Sequence, residues 1–189
     1  EMCEGEAYQL HVHGYEEDLD EITAEDLYSY YQQILSHDHL DVFAVGDIDG
    51  LDVEEKITAL VEDRQQQPIE KAMRVTKDNE QTLIEEDDIK QAKLHFGYRT
   101  NITFNDEDYP ALHVFNGLFG GFPSSKLFMN VREKHSLAYY AASRIESHKG
   151  LMFVFSGIAP EQYEKAKTII LEQMEQMRNG EFSDDQLSE

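Results

Sequence analysis

Apolar and polar positions follow two rhythms along this chain, and each predicts its own kind of element. Leu94, Phe96 and Tyr98 alternate with Lys93, His95 and Gly97, the period of two that turns one strand face toward a core. Residues 90–99 are therefore predicted to be a strand, and residues 138–146 alternate in the same way. Leu151 to Phe155 is a continuous apolar run closed by Gly157, the pattern of a buried strand. Pro110 suits the first turn of a helix whose inner side is Leu112, Phe115 and Phe119, until Gly120-Gly121 ends it. A second helix is expected from Pro123 to Lys134. After Pro160 a long helix carries Tyr163, Ala166, Ile170, Met174 and Met177 on one stripe. The expected fold class is α+β, a mainly antiparallel sheet with helices packed on one face.

The first third reads differently. Thr23-Ala24-Glu25-Asp26 resembles a capping box and is followed by Leu27, Tyr30, Tyr31 and Ile34 at helical spacing. Leu40 to Val45 is a short, mostly apolar run ended by Gly46-Asp47, a buried-strand pattern. Val53 to Glu62 returns to helical spacing through Ile57, Leu60 and Val61. Helix, strand and helix are too little for a domain alone. Gln65-Gln66-Gln67-Pro68 is the best linker candidate, polar and ending in proline. Residues 81–86 are a further strand expectation, interrupted by Glu85-Glu86-Asp87-Asp88. Ser183-Asp184-Asp185-Gln186 opens another capping box close to the end, and no initiator Met begins the chain. Both ends are expected to fall inside the structure of a longer protein.

Charge narrows the function classes. The net charge is −23, and residues 1–64 hold 19 acids against two bases, Lys56 and Arg64. Nucleic acid and anionic membranes are poor partners for such a chain, since both need basic patches. No apolar run approaches the ~18 residues of a membrane span. The acidic excess reads either as solvated surface or as a negative wall that attracts cationic peptides. One cysteine, Cys3, excludes a disulfide framework and a cysteine zinc site, and a cytoplasmic setting is expected.

The eight histidines are the first candidates for metal ligands. His11-Val12-His13 and His37-Asp38-His39 are close pairs, but neither carries the helical carboxylate–histidine spacing of a zinc peptidase. No metal site is expected here. Glu85-Glu86-Asp87-Asp88 lacks the alternating ligands and central Gly of a calcium loop and reads as a solvated turn. Met174 and Met177 read as core.

The most specific stretch is Gly120-Gly121-Phe122-Pro123-Ser124-Ser125-Lys126-Leu127-Phe128-Met129-Asn130-Val131-Arg132-Glu133-Lys134, continuing to Leu137-Ala138-Tyr139. Spacing alone allows a plain reading, with Arg132 paired to Glu133 at a helix end and Tyr139 packed at the start of a strand. The wider pattern resembles the second-domain signature of the insulinase/pitrilysin-type zinc metallopeptidases, mitochondrial processing peptidase among them. Tyr8 to Gly14, Ile22 to Leu27 and Val45-Gly46-Asp47 resemble the close of that family's first domain. The resemblance implies that residues 1–64 are the tail of a first peptidase-like domain, 65–79 a linker, and 80–189 most of a second.

It also implies roles. Arg132 would bind the substrate backbone through its fork of donors. Tyr139 would be both a substrate-binding and a catalytic residue, donating to the oxyanion of peptide hydrolysis. The family's zinc motif, His-x-x-Glu-His, is not in this sequence. No cofactor is expected in this segment, and zinc belongs to a first domain or to a homologous partner subunit. The expected partners are a peptide substrate and that zinc-bearing domain or subunit. The main expectation is the gripping half of a zinc-dependent peptidase; the alternative is a non-catalytic scaffold or partner subunit. Tyr140 is expected to face the opposite side of the strand from Tyr139.

Overall fold

The structure is a computed structural model that describes residues 2–61, 64, 65, 67, 68, 75, 76, 80–88 and 90–188. It divides into two compact units, Glu1–Lys71 and Ala72–Glu189.

The first unit contains α1 (Glu16–Glu21), α2 (Ala24–His37) and α3 (Val53–Val61). The capping box forms as the sequence predicts. The Thr23 hydroxyl accepts the Asp26 N–H at 3.1 Å and the Asp26 carboxylate accepts the Thr23 N–H at 3.2 Å. Hydrogen bonds from the Thr23 hydroxyl, then from its N–H, hold the Asp26 carboxyl below its ordinary value. At the other end of α2, Arg64 donates to the carbonyls of Ile34 and Asp38, and the N–H groups of Gln65 and Gln67 reach those of Ser36 and His37. A cation on the last carbonyls of a helix complements its dipole.

The strand expected at residues 40–45 does not form. That stretch joins no ladder, Phe43 is 88% exposed and Val45 98% exposed. A strand is stabilised by a neighbour, and the described residues of this unit offer none. For the same reason the apolar stripe of α2, including Leu27, Tyr30 and Tyr31, stays exposed.

The second unit is built on a three-stranded sheet of β1 (Ala92–Arg99), β2 (Ala138–Glu146) and β3 (Leu151–Ile158), in the order β1-β3-β2. Both pairings are antiparallel. The expected strand at 81–86 joins no ladder, and Leu83 and Ile84 are exposed. Four successive carboxylates at 85–88 leave too short an apolar stretch to hold a sheet edge.

Helices cover one face. α4 (Tyr109–Asn116) begins with Pro110 in its first turn and runs on as a π-helical turn over Gly117–Gly121. A second π-helical segment is Phe128–Lys134, and the helix around it starts at Lys126 rather than at Pro123. Then follow α5 (Tyr163–Arg178) and α6 (Asp184–Ser188). Leu94, Val154 and Ile158 of the sheet, Phe119, Leu127 and Val131 of the helices, and Ala166, Ile170, Met174 and Met177 of α5 form one core. The α+β expectation holds. Gln173 is buried on α5 as well, and its Oε1 accepts Asn130 Nδ2 at 2.9 Å, so the helix layer has a polar stitch.

Gly120 lies directly against the sheet. A Cβ there would lie 2.6 Å from the Ser143 backbone nitrogen and 2.7 Å from Leu127 Cδ1. Beside it, Ser143 Oγ donates to Asn116 Oδ1 at 2.8 Å. Among the described residues, no helix is long and apolar enough to cross a membrane.

Candidate functional site

Arg132 and Tyr139 lie on either side of a helix-to-strand joint. The π-helical segment ends with the His135 N–H on the Arg132 carbonyl. The Ser136 N–H returns to the same oxygen at 2.9 Å, and Leu137 N–H to the Val131 carbonyl at 3.0 Å. Ser136 takes a left-handed φ of 51°, which reverses the chain into β2. Leu137 is buried and pins the joint to the core.

The strand then begins with an irregularity. Ala138 pairs with Ile158 and Tyr140 with Gly157, so Tyr139 is an extra residue outside the ladder. Such a bulge bends the strand and re-aims a side chain. Tyr139 is 79% exposed, and its hydroxyl has no hydrogen bond among the described residues. Tyr140 is exposed too, and it lies in register with Gly157 where the ladder resumes after the bulge.

The Arg132 side chain is 44% exposed. Its guanidinium carbon stands 4.6 Å from the centre of the Phe128 ring, one helical turn back, and its Nε lies 3.7 Å from Glu133 Oε1. A cation over the face of an aromatic ring is attracted to it, which helps hold Arg132 in place. An exposed ion pair of this length contributes only about 0–1 kcal/mol, so Glu133 is a weak competitor for the arginine. Arg132 and Tyr139 make no hydrogen bond to each other. Phe128 has no assigned role in the sequence reading; its spacing of four from Arg132 is the signal that would have found it. A separate cleft of about 270 Å³, lined by Val114, Leu118, Phe122, Phe182 and Leu187, includes neither donor.

The His11 and His13 rings are 5.5 Å apart, and His39 Nε2 is 3.1 Å from Asp41 Oδ1. Among the described residues, no three His, Cys, Asp or Glu side chains gather around a common point.

His95, on β1, packs edge-on against Phe155 with ring centres 5.2 Å apart. Loss of water there, and secondarily the charge of Lys93, lowers its pKa below the ordinary 6.5. The folded state therefore binds its proton less readily than the unfolded chain. His95 contributes full stability above pH 6.5, and the contribution is lost as pH falls through the depressed folded value. Urea unfolding of wild type and His95→Gln at pH 7.5 and 5.5 checks this: the wild type should lose more stability on acidification. Equal losses would show that His95 titrates as in the unfolded chain.

Residues 21–189 match the family described as the peptidase M16 inactive domain. The probable inactive metalloprotease YmfF of Bacillus subtilis is 52% identical over 191 residues, covering 100% of this chain and 45% of the relative. A conserved protein of Enterococcus faecalis V583, known from its crystal structure, is 35% identical with a TM-score of 0.79, over 95% of this chain and 43% of that one. A zinc protease of Streptomyces coelicolor, itself uncharacterized, is 27% identical over 88% of this chain and 38% of its own length. The chain belongs to the peptidase M16 family, in the region described as its inactive domain. It spans less than half the length of these relatives.

Proposed function

We propose that this chain is the non-catalytic half of an M16-type assembly, which holds an extended peptide by its backbone and leaves cutting, where it occurs, to another domain or subunit. The observation that carries this reading is Tyr139, a phenol placed outside the ladder by a bulge, exposed and without a hydrogen-bond partner among the described residues. Arg132, held against Phe128, is a second donor on the same joint. Both donors suit carbonyl oxygens, which every peptide offers whatever its sequence. The relative named a probable inactive metalloprotease supports a non-catalytic role over a cutting one. A cytoplasmic setting belongs to this reading, since the lone cysteine, Cys3, leaves no disulfide to maintain.

The test uses the full-length protein, purified without a tag. A fluorescently labelled peptide is expected to bind, and Arg132→Ala/Tyr139→Phe should weaken that binding. Failure of the peptide to bind, or unchanged binding by the double variant, would sink the proposal. A second reading is favoured by the same free phenol: in an assembly completed by a zinc-bearing partner, Tyr139 would donate to the substrate carbonyl oxygen as it gains charge.

A further inference from the structure

The face of the sheet turned away from the core has a composition unlike the rest of the molecule. Core residues Leu94, Val154 and Ala141 mark one side of the strands. The opposite side follows from the registers in four rows across β1, β3 and β2: Lys93–Gly157–Tyr140, His95–Phe155–Ala142, Gly97–Phe153–Arg144 and Arg99–Leu151–Glu146. Lys93, His95, Tyr140, Ala142 and Arg144 are exposed there. Phe153 and Phe155 lie 6.0 Å apart and form an aromatic ridge along the middle strand, with His95 edge-on to it.

Charge on this face is reversed. The chain has 39 acids and 16 bases, yet these rows hold Lys93, Arg99 and Arg144 against a single carboxylate, Glu146. That carboxylate is engaged at the β2–β3 turn, accepting the N–H groups of His148 at 3.2 Å and Lys149 at 2.7 Å. A basic, aromatic face on an acidic protein is complementary to carboxylates spaced among apolar side chains. Along an extended peptide, alternate residues recur every ~6.8 Å, the same interval as the rows of the sheet. Tyr139 is the residue next to Tyr140 at the end of this face, so a peptide lying along the ridge leads to the bulge.

We propose that the open face of the sheet selects acidic, apolar-rich peptides for the grip at Arg132 and Tyr139, with Lys93 and Arg144 reading carboxylates and Phe153 and Phe155 taking the apolar side chains between them. This rests on the peptide-holding reading and adds a substrate class to it. The net charge of the whole chain opposes such a peptide at a distance. At about 0.15 M salt that repulsion is screened beyond roughly 8 Å, whereas direct pairs on the face persist.

The experiment measures fluorescence anisotropy of the full-length protein with three peptides of equal length and equal apolar content, carrying Glu, Gln or Lys at the same positions. At about 0.15 M salt, two exposed charge pairs should make the Glu peptide bind about fivefold to tenfold more tightly than the Gln peptide. Lys93→Glu/Arg144→Glu should remove that preference and leave the Gln peptide unchanged. Lys165→Glu/Arg178→Glu, an equal charge change on α5, should preserve it. Equal binding of the Glu and Gln peptides by wild type, or a preference that survives the face reversal, overturns the inference. If Arg132→Ala/Tyr139→Phe still weakens all three peptides in that case, the grip stands without the selectivity. Absence of binding by every peptide removes both. A dimer seen in sedimentation that Lys93→Glu/Arg144→Glu dissociates would assign the face to a second copy and overturn the peptide proposal.

Discussion

Gly120→Val is expected to lower the melting temperature of the second unit by ten degrees or more, or to prevent its folding. The added Cβ alone would meet the Ser143 nitrogen and Oγ at 2.6 Å and Leu127 Cδ1 at 2.7 Å. The Ser143 backbone is fixed by its strand, where Ser143 lies opposite Val154, and Leu127 is fully buried. Neither neighbour is the free end of a flexible side chain. The π-helical turn must therefore lift off the sheet, losing the Ser143–Asn116 hydrogen bond and loosening Phe119, which is fully buried. Overpacking of a well-packed core costs about 1–3 kcal/mol, and the top of that range or more applies where the obstacle is backbone. For a domain near 100 residues, ~3 kcal/mol corresponds to a shift of more than about 10 °C. Circular dichroism melts of wild type, Gly120→Ala and Gly120→Val should show a graded fall. A valine variant melting within a few degrees of wild type would show that the helix–sheet contact is looser than described.

Arg132→Ala/Tyr139→Phe is expected to weaken peptide binding by the full-length protein roughly 10²-fold, with the melting temperature unchanged. A hydrogen bond to a charged donor contributes about 1.5–3 kcal/mol and a neutral one about 0.5–1.5 kcal/mol. Their combination corresponds to between about 30-fold and 2,000-fold in affinity. The fold should survive because both side chains are exposed, and neither belongs to the core. Arg132→Lys should recover only part of the loss, since an ammonium keeps the charge without the planar fork. Should the protein act with a zinc-bearing partner, Tyr139→Phe alone should cut turnover by about 10²–10³, the usual cost of one oxyanion donor. Wild-type affinity in the double variant would leave both residues structural and remove the main support for a peptide-holding role.

The second unit was far more legible in the sequence than the first, and the difference is one of partners. Along β1 the alternation of Leu94, Phe96 and Tyr98 with Lys93, His95 and Gly97 is met by a real core on one side. On α5 the predicted stripe of Ala166, Ile170, Met174 and Met177 is buried, with Ile169 and Gln173 added to it. In residues 40–45 the same kind of apolar signal finds no neighbouring strand among the described residues of its own unit and remains exposed. Periodicity reports what a segment can bury, and it is silent on whether anything is there to bury it.

The site was legible only through its resemblance to a family. Seven residues between an arginine and a tyrosine say nothing about a π-helical segment, a left-handed serine and a bulge. These three irregularities each add to or turn the backbone where regular periods would have placed the two side chains differently. The cation–π support from Phe128 could be found from spacing, while the exposure of both Tyr139 and Tyr140 could not. The basic sheet face was hidden for another reason: Lys93 and Arg144 are 51 positions apart and share a face only through the antiparallel registers with β3.

The bulge at Tyr139 has an evolutionary consequence. An unpaired residue is a unit of chain length that a lineage can add or remove without costing the sheet a hydrogen bond. Insertions or deletions at this joint change the reach between Arg132 and Tyr139 while β2 keeps its register with β3 from Tyr140 onward. Grip and scaffold are thereby separable under selection: the spacing of the two donors is free to drift, or to be lost, in a descendant whose fold is still fully maintained.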